Sequence, residues 1–387
     1  MSVQVPWVWL FDMDGVLLAP RGYRRATVAT VQHWARRLGL APPWPTEDDM
    51  AAYEAHGITS EWDMAPLMLA AVLEAALAQG WRPPSQWPAL DARPVSRFRQ
   101  HRVAQVDYRG PARAVAATRP PEVYPAAHAW ALQRSAQPVF PRLQAYPALA
   151  EALFAHSRDA RRSPVTAVFQ HYVLGDEAYA RTYGRPAAFA SASFLLEHDE
   201  PLPSADWRAA VYRAWQQGAW TVAVMTARPS RPAGAAGDYA PEAEMALQRI
   251  GWPDVPHIGY GHVRAWRADG EGYLKPHPAH ALAALYAAWH RQADTALDWA
   301  LAVLANPRHA RATLPRAIGL TVVEDSPPGL RAARAAAQVL QAGGVQVRLS
   351  LVGVAQAAVK QRALRALGAR VAPSVDAAVA RGWLPAA

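Results

Sequence analysis

A chain of 387 residues, 52% of them hydrophobic, is longer than one hydrophobic core usually organises, so two domains are expected. The absence of cysteine excludes disulfides, thiolate metal sites and a cysteine nucleophile, and it fits a reducing compartment. A net charge of +9 permits nucleic-acid binding, but the arginines alternate with Pro and Ala without regular aromatic residues. We therefore expect no nucleic-acid partner.

The amino-terminal segment does not resemble a targeting signal. Residues 1–10 are apolar but lack a basic segment, and Asp12 and Asp14 follow at once. No run of about 18 apolar residues is free of charges and proline clusters, so no membrane span is predicted. The expected location is the cytoplasm.

The first predicted element is a strand. Residues 3–11 are apolar and rich in Val and Trp, as in a strand buried on both faces of a parallel sheet. From Tyr23 to Leu38 apolar residues recur at intervals of three and four, which predicts an amphipathic helix ended by Gly39.

A long segment without strand character follows. Residues 40–204 are predicted to be helices joined by proline-rich connections, with helices over residues 64–77 and 169–183. Residues 91–147 are dense in Pro and Arg and are the least decipherable part of this segment, and irregular loops are expected among them.

Alternating strands and helices resume near Asp206. The predicted strands are residues 220–225, 317–323, 345–352 and 369–372, and the predicted helices are residues 207–217, 241–250, 279–291, 329–340 and 359–367. Repeated βα units predict an α/β fold: a parallel sheet with helices on both faces and right-handed crossovers. Residues 19–204 then form an insertion after the first strand.

Polar side chains follow the ends of three predicted strands. Asp12 and Asp14 follow the first strand, Thr226 follows residues 220–225, and Glu324 with Asp325 follows residues 317–323. Ligands of an open α/β sheet bind beyond the carboxyl ends of its strands, so we expect these side chains to converge.

Lysine is almost absent from the chain. Among 40 basic residues only Lys275 and Lys360 are lysines. Because arginine supplies positive charge everywhere else, the lysine at 275, just before a predicted helix, indicates a role for a compact ammonium group.

These residue types suit phosphoryl transfer through an aspartyl-phosphate. Asp12 would attack phosphorus, and Asp14 would protonate the leaving oxygen and then deprotonate water. Lys275 and the Thr226 hydroxyl would orient and neutralise the phosphoryl oxygens.

The carboxylates also predict a metal site. Asp12 and Asp325 would bind Mg²⁺, and Asp14 and Glu324 complete the candidate ligand set. Each segment alone also has a structural interpretation, as a turn, a local hydroxyl bond or a helix N-cap. Only the whole set, in this order, points to catalysis.

In four segments the chain resembles the haloacid dehalogenase-like hydrolase superfamily, in the subfamily with a helical cap inserted after the first strand. The segments are residues 12–16, 226–229, 275–278 and 324–330, and the resemblance extends over residues 5–26 and 207–340. It implies a Rossmann-like catalytic core of residues 1–18 and 205–387, an α-helical cap of residues 19–204, Mg²⁺, and hydrolysis or transfer of a phosphate ester.

Three further residues are candidates for substrate binding. Arg228 lies in the second of the four segments, and Trp62 lies in residues 57–63, which resemble a cap segment of some members. Arg24 is a candidate for recognising a second anionic group.

The expected function is a Mg²⁺-dependent phosphatase acting on a small phosphorylated metabolite. Asp14 disfavours dehalogenation, because the dehalogenases of the superfamily lack this second aspartate. Residues 19–204 contain no lysine, which removes the relatives that use a cap lysine as a Schiff base. A sugar phosphomutase and a non-catalytic binding or regulatory protein on the same scaffold stay as alternatives. The insertion is larger than usual for the family, so the sequence does not identify the substrate. It does not indicate the oligomeric state either.

Overall fold

The computed structural model describes residues 5–84, 86–120, 123–235, 237, 239–267 and 270–385. The chain separates into two compact units: a sheet unit, Met1–Pro20 with Asp199–Ala387, and a helical unit, Arg21–His198. The sequence patterns place these limits after residue 18 and before residue 205. The sheet unit reaches Asp199 because Leu18 and Ala19 pair in an antiparallel bridge with Pro201 and Glu200.

The strands are numbered along the chain. They are β1 (Trp7–Phe11), β2 (Leu18–Ala19), β3 (Leu40–Ala41), β4 (His101–Arg102), β5 (Glu200–Pro201), β6 (Thr221–Met225), β7 (His257–Ile258), β8 (Ala317–Glu324), β9 (Gln346–Val354) and β10 (Arg370–Ala372). Within the described residues, six of them form one parallel sheet in the order β10-β9-β8-β1-β6-β7.

The central strands are the apolar runs that the sequence indicates. In β1, β6 and β8 most side chains are buried, as expected where helices cover both faces of a parallel sheet. The predicted strands that correspond to β1, β6, β8, β9 and β10 are confirmed. Strand β1 begins at Trp7, and residues 3 and 4 of the predicted strand lie outside the described residues. Strand β7 was missed because two residues are too short to show a period.

The helical unit contains the first half of the helices. They are α1 (Arg21–Arg37), α2 (Glu47–Ala55), α3 (Glu61–Ala78), α4 (Arg109–Thr118), α5 (Pro125–Gln133), α6 (Pro147–Phe154), α7 (Pro164–Tyr183) and α8 (Phe194–His198). The predicted helices corresponding to α1, α3 and α7 are confirmed, and Gly39 takes a left-handed conformation just beyond α1 (φ 72°). The core of this unit includes Trp34, Tyr53 and Phe154.

Residues 91–147 contain the expected irregular connections and, in addition, two helices that the sequence did not locate. Helices α4 and α5 lie there, and Pro111 and Pro125 each occupy the first turn. Proline is compatible with that position because the first helical N–H groups have no partner within the helix. A second departure is the small pairing of β3 with β4, Leu40 opposite His101.

The sheet unit contains the remaining helices. They are α9 (Ala205–Gln216), α10 (Glu242–Ile250), α11 (Tyr260–Trp266), α12 (Pro278–His290), α13 (Ala296–Ala305), α14 (Pro327–Ala342), α15 (Ala358–Ala366) and α16 (Val375–Ala380). The five predicted helices correspond to α9, α10, α12, α14 and α15 and are confirmed, whereas α11, α13 and α16 were not predicted. The structure therefore has the predicted Rossmann-like α/β architecture with an additional helical unit.

Among the helices of the described residues, none combines the length and the apolar character that crossing a bilayer requires.

The buried centre of β1 offers a test of the sheet unit. Leu10 is fully buried and belongs to the core cluster that joins β1, β8 and α12, whereas Leu202 is 42% exposed. We expect Leu10→Ala to lower the free energy of unfolding by about 2–5 kcal/mol, because removed contacts and a cavity both contribute. The matched change Leu202→Ala should cost less than about 1 kcal/mol. Urea denaturation followed by circular dichroism measures both, and equal costs would contradict the assigned core.

Candidate active site

Three neighbouring strands end at one edge of the sheet. Asp12 follows β1, Thr226 follows β6, and Asp325 follows β8, and β1 lies between the other two. The register brings Phe11 opposite both Val224 and Val323, so the strand ends are level. The backbone N–H of Asp12 donates to the Val323 carbonyl (2.9 Å), which fixes the first residue beyond the strand.

Lys275 is buried between two carboxylates of this edge. Its Nζ lies 2.7 Å from Oδ1 of Asp12 and donates to Oε1 of Glu324 at 2.7 Å. Only 9% of the lysine side chain is exposed, and the Glu324 side chain is fully buried. Burial by itself would lower the pKa of Lys275, but the two carboxylates outweigh it and hold the pKa above its usual range. The ammonium is therefore a permanent charge of the site.

His280 fixes the backbone of the lysine. The Lys275 N–H donates to Nδ1 of His280 (3.1 Å), and Nε2 of His280 lies 3.0 Å from the Ile258 carbonyl. These partners require a neutral ring with its proton on Nε2. Burial, with a smaller effect of Lys275, lowers the pKa of His280 to about 3, which agrees with the neutral form.

Three carboxylates of the described residues are close enough to bind one cation. One oxygen each of Asp12, Glu324 and Asp325 can be chosen so that all three lie within 4.8 Å of one another. Burial, and then the charge of Glu324, raise the pKa of Asp12 well above its usual value, although Lys275 opposes the shift. Carboxylate oxygens are preferred ligands of hard divalent cations, so the set fits Mg²⁺.

The cluster members differ in how their oxygens are used. Oε1 of Glu324 accepts from Lys275, and its Oε2 accepts from the Ser326 hydroxyl at 2.9 Å. Asp12 meets Lys275 and the Met13 N–H (2.8 Å) through Oδ1 alone. Of the two, Asp12 is therefore the better placed to give an oxygen to a cation.

Gly15 makes room for Asp325. Its φ of 76° is left-handed, and a Cβ there would lie 2.4 Å from Oδ2 of Asp325. A side chain at position 15 would meet both backbone strain and a clash with a candidate metal ligand.

Asp14 lies in a separate ion-pair network. Its two oxygens accept from Nε of Arg228 at 3.0 Å each, and Nη2 of the same arginine bonds to Asp14 (2.5 Å) and to Asp199 (2.8 Å). The arginine side chain is 1% exposed, whereas Asp14 is 35% exposed. The Thr226 hydroxyl accepts from the Arg228 N–H (3.1 Å) and so belongs to this network too.

Two assignments made from the sequence concern residues of this network, and both stay predictions. The guanidinium of Arg228, expected to bind substrate, is directed at two carboxylates of the chain. The carboxylate of Asp14 is not in the cluster of candidate metal ligands among the described residues.

The other two substrate-binding candidates belong to the helical unit. Arg24 pairs with Glu47 (2.5 Å) and Glu54 (2.7 Å), so its charge is balanced by acidic neighbours of its own unit. The guanidinium of Arg158 lies over the ring of Trp62, 5.9 Å from its centre. These described partners belong to the helical unit, and the substrate-binding roles of Arg24 and Trp62 stay predictions.

Sequence reasoning missed His280, Asp199 and Lys360 as members of this region. Nζ of Lys360 lies 2.8 Å from Oδ2 of Asp325. The rarity of lysine was the one signal that could have indicated Lys360, whereas nothing in the local pattern marks His280 or Asp199.

Comparisons with known proteins add information about the fold. No family model and no curated protein matches the chain. A crystal structure solved as Northeast Structural Genomics Consortium target ZR25 is similar with a TM-score of 0.57 and 14% identity, over 98% of both chains. The phosphatase Tt82 from Thermococcus thioreducens matches with a TM-score of 0.44 and 14% identity, over 93% of this chain and 99% of the other. The first of these shows a shared overall fold.

Proposed function

We propose that the chain is a Mg²⁺-dependent phosphatase of the haloacid dehalogenase type, which hydrolyses a small phosphorylated metabolite through an aspartyl-phosphate. The observation that supports this proposal most is the group of Asp12, Glu324 and Asp325 at the ends of the adjacent strands β1 and β8, with the ammonium of Lys275 between the first two of them. Buried ionisable groups with strongly shifted pKa values at such a position are typical of active sites.

Asp12 would be the nucleophile. A carboxylate oxygen of Asp12 attacks phosphorus, and the bond from phosphorus to the leaving oxygen breaks as the new bond forms. The neighbouring ammonium of Lys275 favours the ionised form of Asp12 that this attack requires, against the effect of burial.

Asp14 would move the protons. It gives a proton to the leaving oxygen in the first step, and in the second it accepts the proton of the water that attacks phosphorus. The bond between Asp12 and phosphorus then breaks, and inorganic phosphate leaves. Arg228 acts through Asp14 as a positioning residue, because its fork holds both oxygens of that carboxylate.

The metal would be held by Asp12 and Asp325, and Glu324 would support the site without binding the metal directly. When bound, Mg²⁺ supplies positive charge that offsets the phosphoryl oxygens and the crowded carboxylates. Glu324 contributes by holding Lys275, since its two oxygens are already engaged by Lys275 and Ser326. Lys275 and the Thr226 hydroxyl remain the proposed partners of the phosphoryl oxygens.

The first prediction concerns the nucleophile. Purified protein with MgCl₂ should release inorganic phosphate from members of a panel of phosphorylated metabolites or from an aryl phosphate. Asp12→Asn should reduce the rate by at least about 10³-fold, because an amide oxygen is a poor nucleophile. Chelation of the metal should have a similar effect.

Two other outcomes are informative. Activity that survives Asp12→Asn would contradict the covalent mechanism. Isomerisation of a sugar phosphate without release of phosphate would favour the phosphomutase alternative, and the absence of any turnover would favour a binding or regulatory protein.

The second prediction concerns the position of Asp14. Arg228→Lys keeps the charge but removes the fork that holds Asp14 and Asp199, so we expect kcat to fall about 10- to 100-fold with a changed pH profile. Arg231→Lys, an exposed arginine of the same loop, is the matched control and should leave both unchanged. A normal pH profile for Arg228→Lys would argue against the positioning role.

The third prediction concerns the buried lysine. Lys275→Arg retains one positive charge but places a planar, larger group between Asp12 and Glu324, and we expect activity to fall about 10²- to 10³-fold. Thermal unfolding should show that the variant folds. Full activity of Lys275→Arg would mean that the compact ammonium has no special role.

A further inference from the structure

Both lysines of the chain contact the same acidic cluster. Lys275 reaches Asp12 and Glu324, and Lys360 donates to Oδ2 of Asp325 at 2.8 Å. Lys360 lies in the first turn of α15, which follows the end of β9, the strand next to β8. Asp325, the third carboxylate of the cluster, thus has a basic partner that comes from helix α15 after strand β9.

The two lysines differ in how firmly they are held. The Lys275 side chain is 9% exposed and bridges two buried carboxylates, whereas 58% of the Lys360 side chain is exposed. An exposed ion pair contributes little to stability, because water and salt screen it and the side chain loses freedom on pairing. The Lys360 contact can therefore be exchanged for a stronger partner at small cost.

We propose that Lys360 competes with the divalent cation for Asp325. Its ammonium neutralises this carboxylate until a metal ion binds, and the metal ion has to displace it from Oδ2. The inference rests on the proposed metal site, but it concerns the affinity of that site and requires no turnover. Lys360 would thereby weaken Mg²⁺ binding.

The residues around Lys360 indicate that its contact with Asp325, rather than the total positive charge of helix α15, is what matters. Arg362 and Arg365 belong to the same helix and are exposed, and Arg365 bonds to Gln361. Among these basic side chains, the described contact with Asp325 is made by Lys360. Its long, flexible stem lets the ammonium swing into water when the carboxylate takes another partner.

The test measures metal binding directly. The chain of 387 residues, first treated with a chelator, is titrated with MgCl₂ in a calorimeter without substrate. We expect Lys360→Gln to bind Mg²⁺ about two- to fivefold more tightly than the wild type at low ionic strength. This gain should shrink as salt is raised above about 0.15 M, because the removed charge is exposed.

Two control variants separate position from charge. Lys360→Arg keeps a positive group that can reach Asp325 and should bind Mg²⁺ as the wild type does. Arg362→Gln removes one charge from an exposed position of the same helix and should also leave the affinity unchanged. Thermal unfolding in chelator checks that all variants fold.

The outcomes also distinguish this inference from the proposed function. Unchanged or weaker Mg²⁺ binding by Lys360→Gln, with a wild type that binds, would overturn the competition and leave the metal site in place. An equal gain in Mg²⁺ affinity for Arg362→Gln would mean that any loss of positive charge on the helix has this effect, which would also overturn the inference. If the wild type binds neither Mg²⁺ nor Mn²⁺, the proposed metal site is wrong and the inference falls with it.

Discussion

The ammonium of Lys275 is the interaction on which the arrangement of the strand ends depends. Asp12 and Glu324 follow or end adjacent parallel strands and are both buried, so without a cation between them their charges could not coexist there. The level register of β1 and β8 sets the distance that this one group has to span. His280 accepts a hydrogen bond from the Lys275 backbone N–H and also contacts the Ile258 carbonyl. The backbone from which the lysine side chain extends is therefore fixed.

A second constraint separates two carboxylates that are only two residues apart. Asp12 points into the cluster with Lys275, whereas Asp14 is held by the fork of Arg228 and is partly exposed. The left-handed turn at Gly15 follows Asp14 directly and leaves room for the Asp325 side chain. The proposed nucleophilic role of Asp12 and acid–base role of Asp14 require carboxylates in different environments, and Lys275 and Arg228 provide that difference.

The sequence predicted the strands and the order of the site residues because both depend on local signals. Buried apolar runs end directly before Asp12, Thr226 and Glu324, and parallel strands in one sheet must bring such ends together. The partners of Arg228 could not be predicted, since Asp199 comes from a part of the chain without a motif. Helices α4 and α5 were missed for a different reason: Pro and Gly in the first turn disguise a helix start as a loop.

The comparison of the two lysines shows that burial, more than charge, separates their roles. Each lysine contributes one ammonium to the same cluster of three carboxylates. Loss of Lys275 would leave buried carboxylates without compensation, which proteins tolerate poorly, whereas loss of Lys360 would leave Asp325 with access to water. In the proposed scheme, a chain that otherwise uses arginine has lysine at two positions for opposite reasons. At position 275 the compact ammonium fits the closed space between Asp12 and Glu324. At position 360 the side chain is exposed, so its ammonium can move away from Asp325 into water.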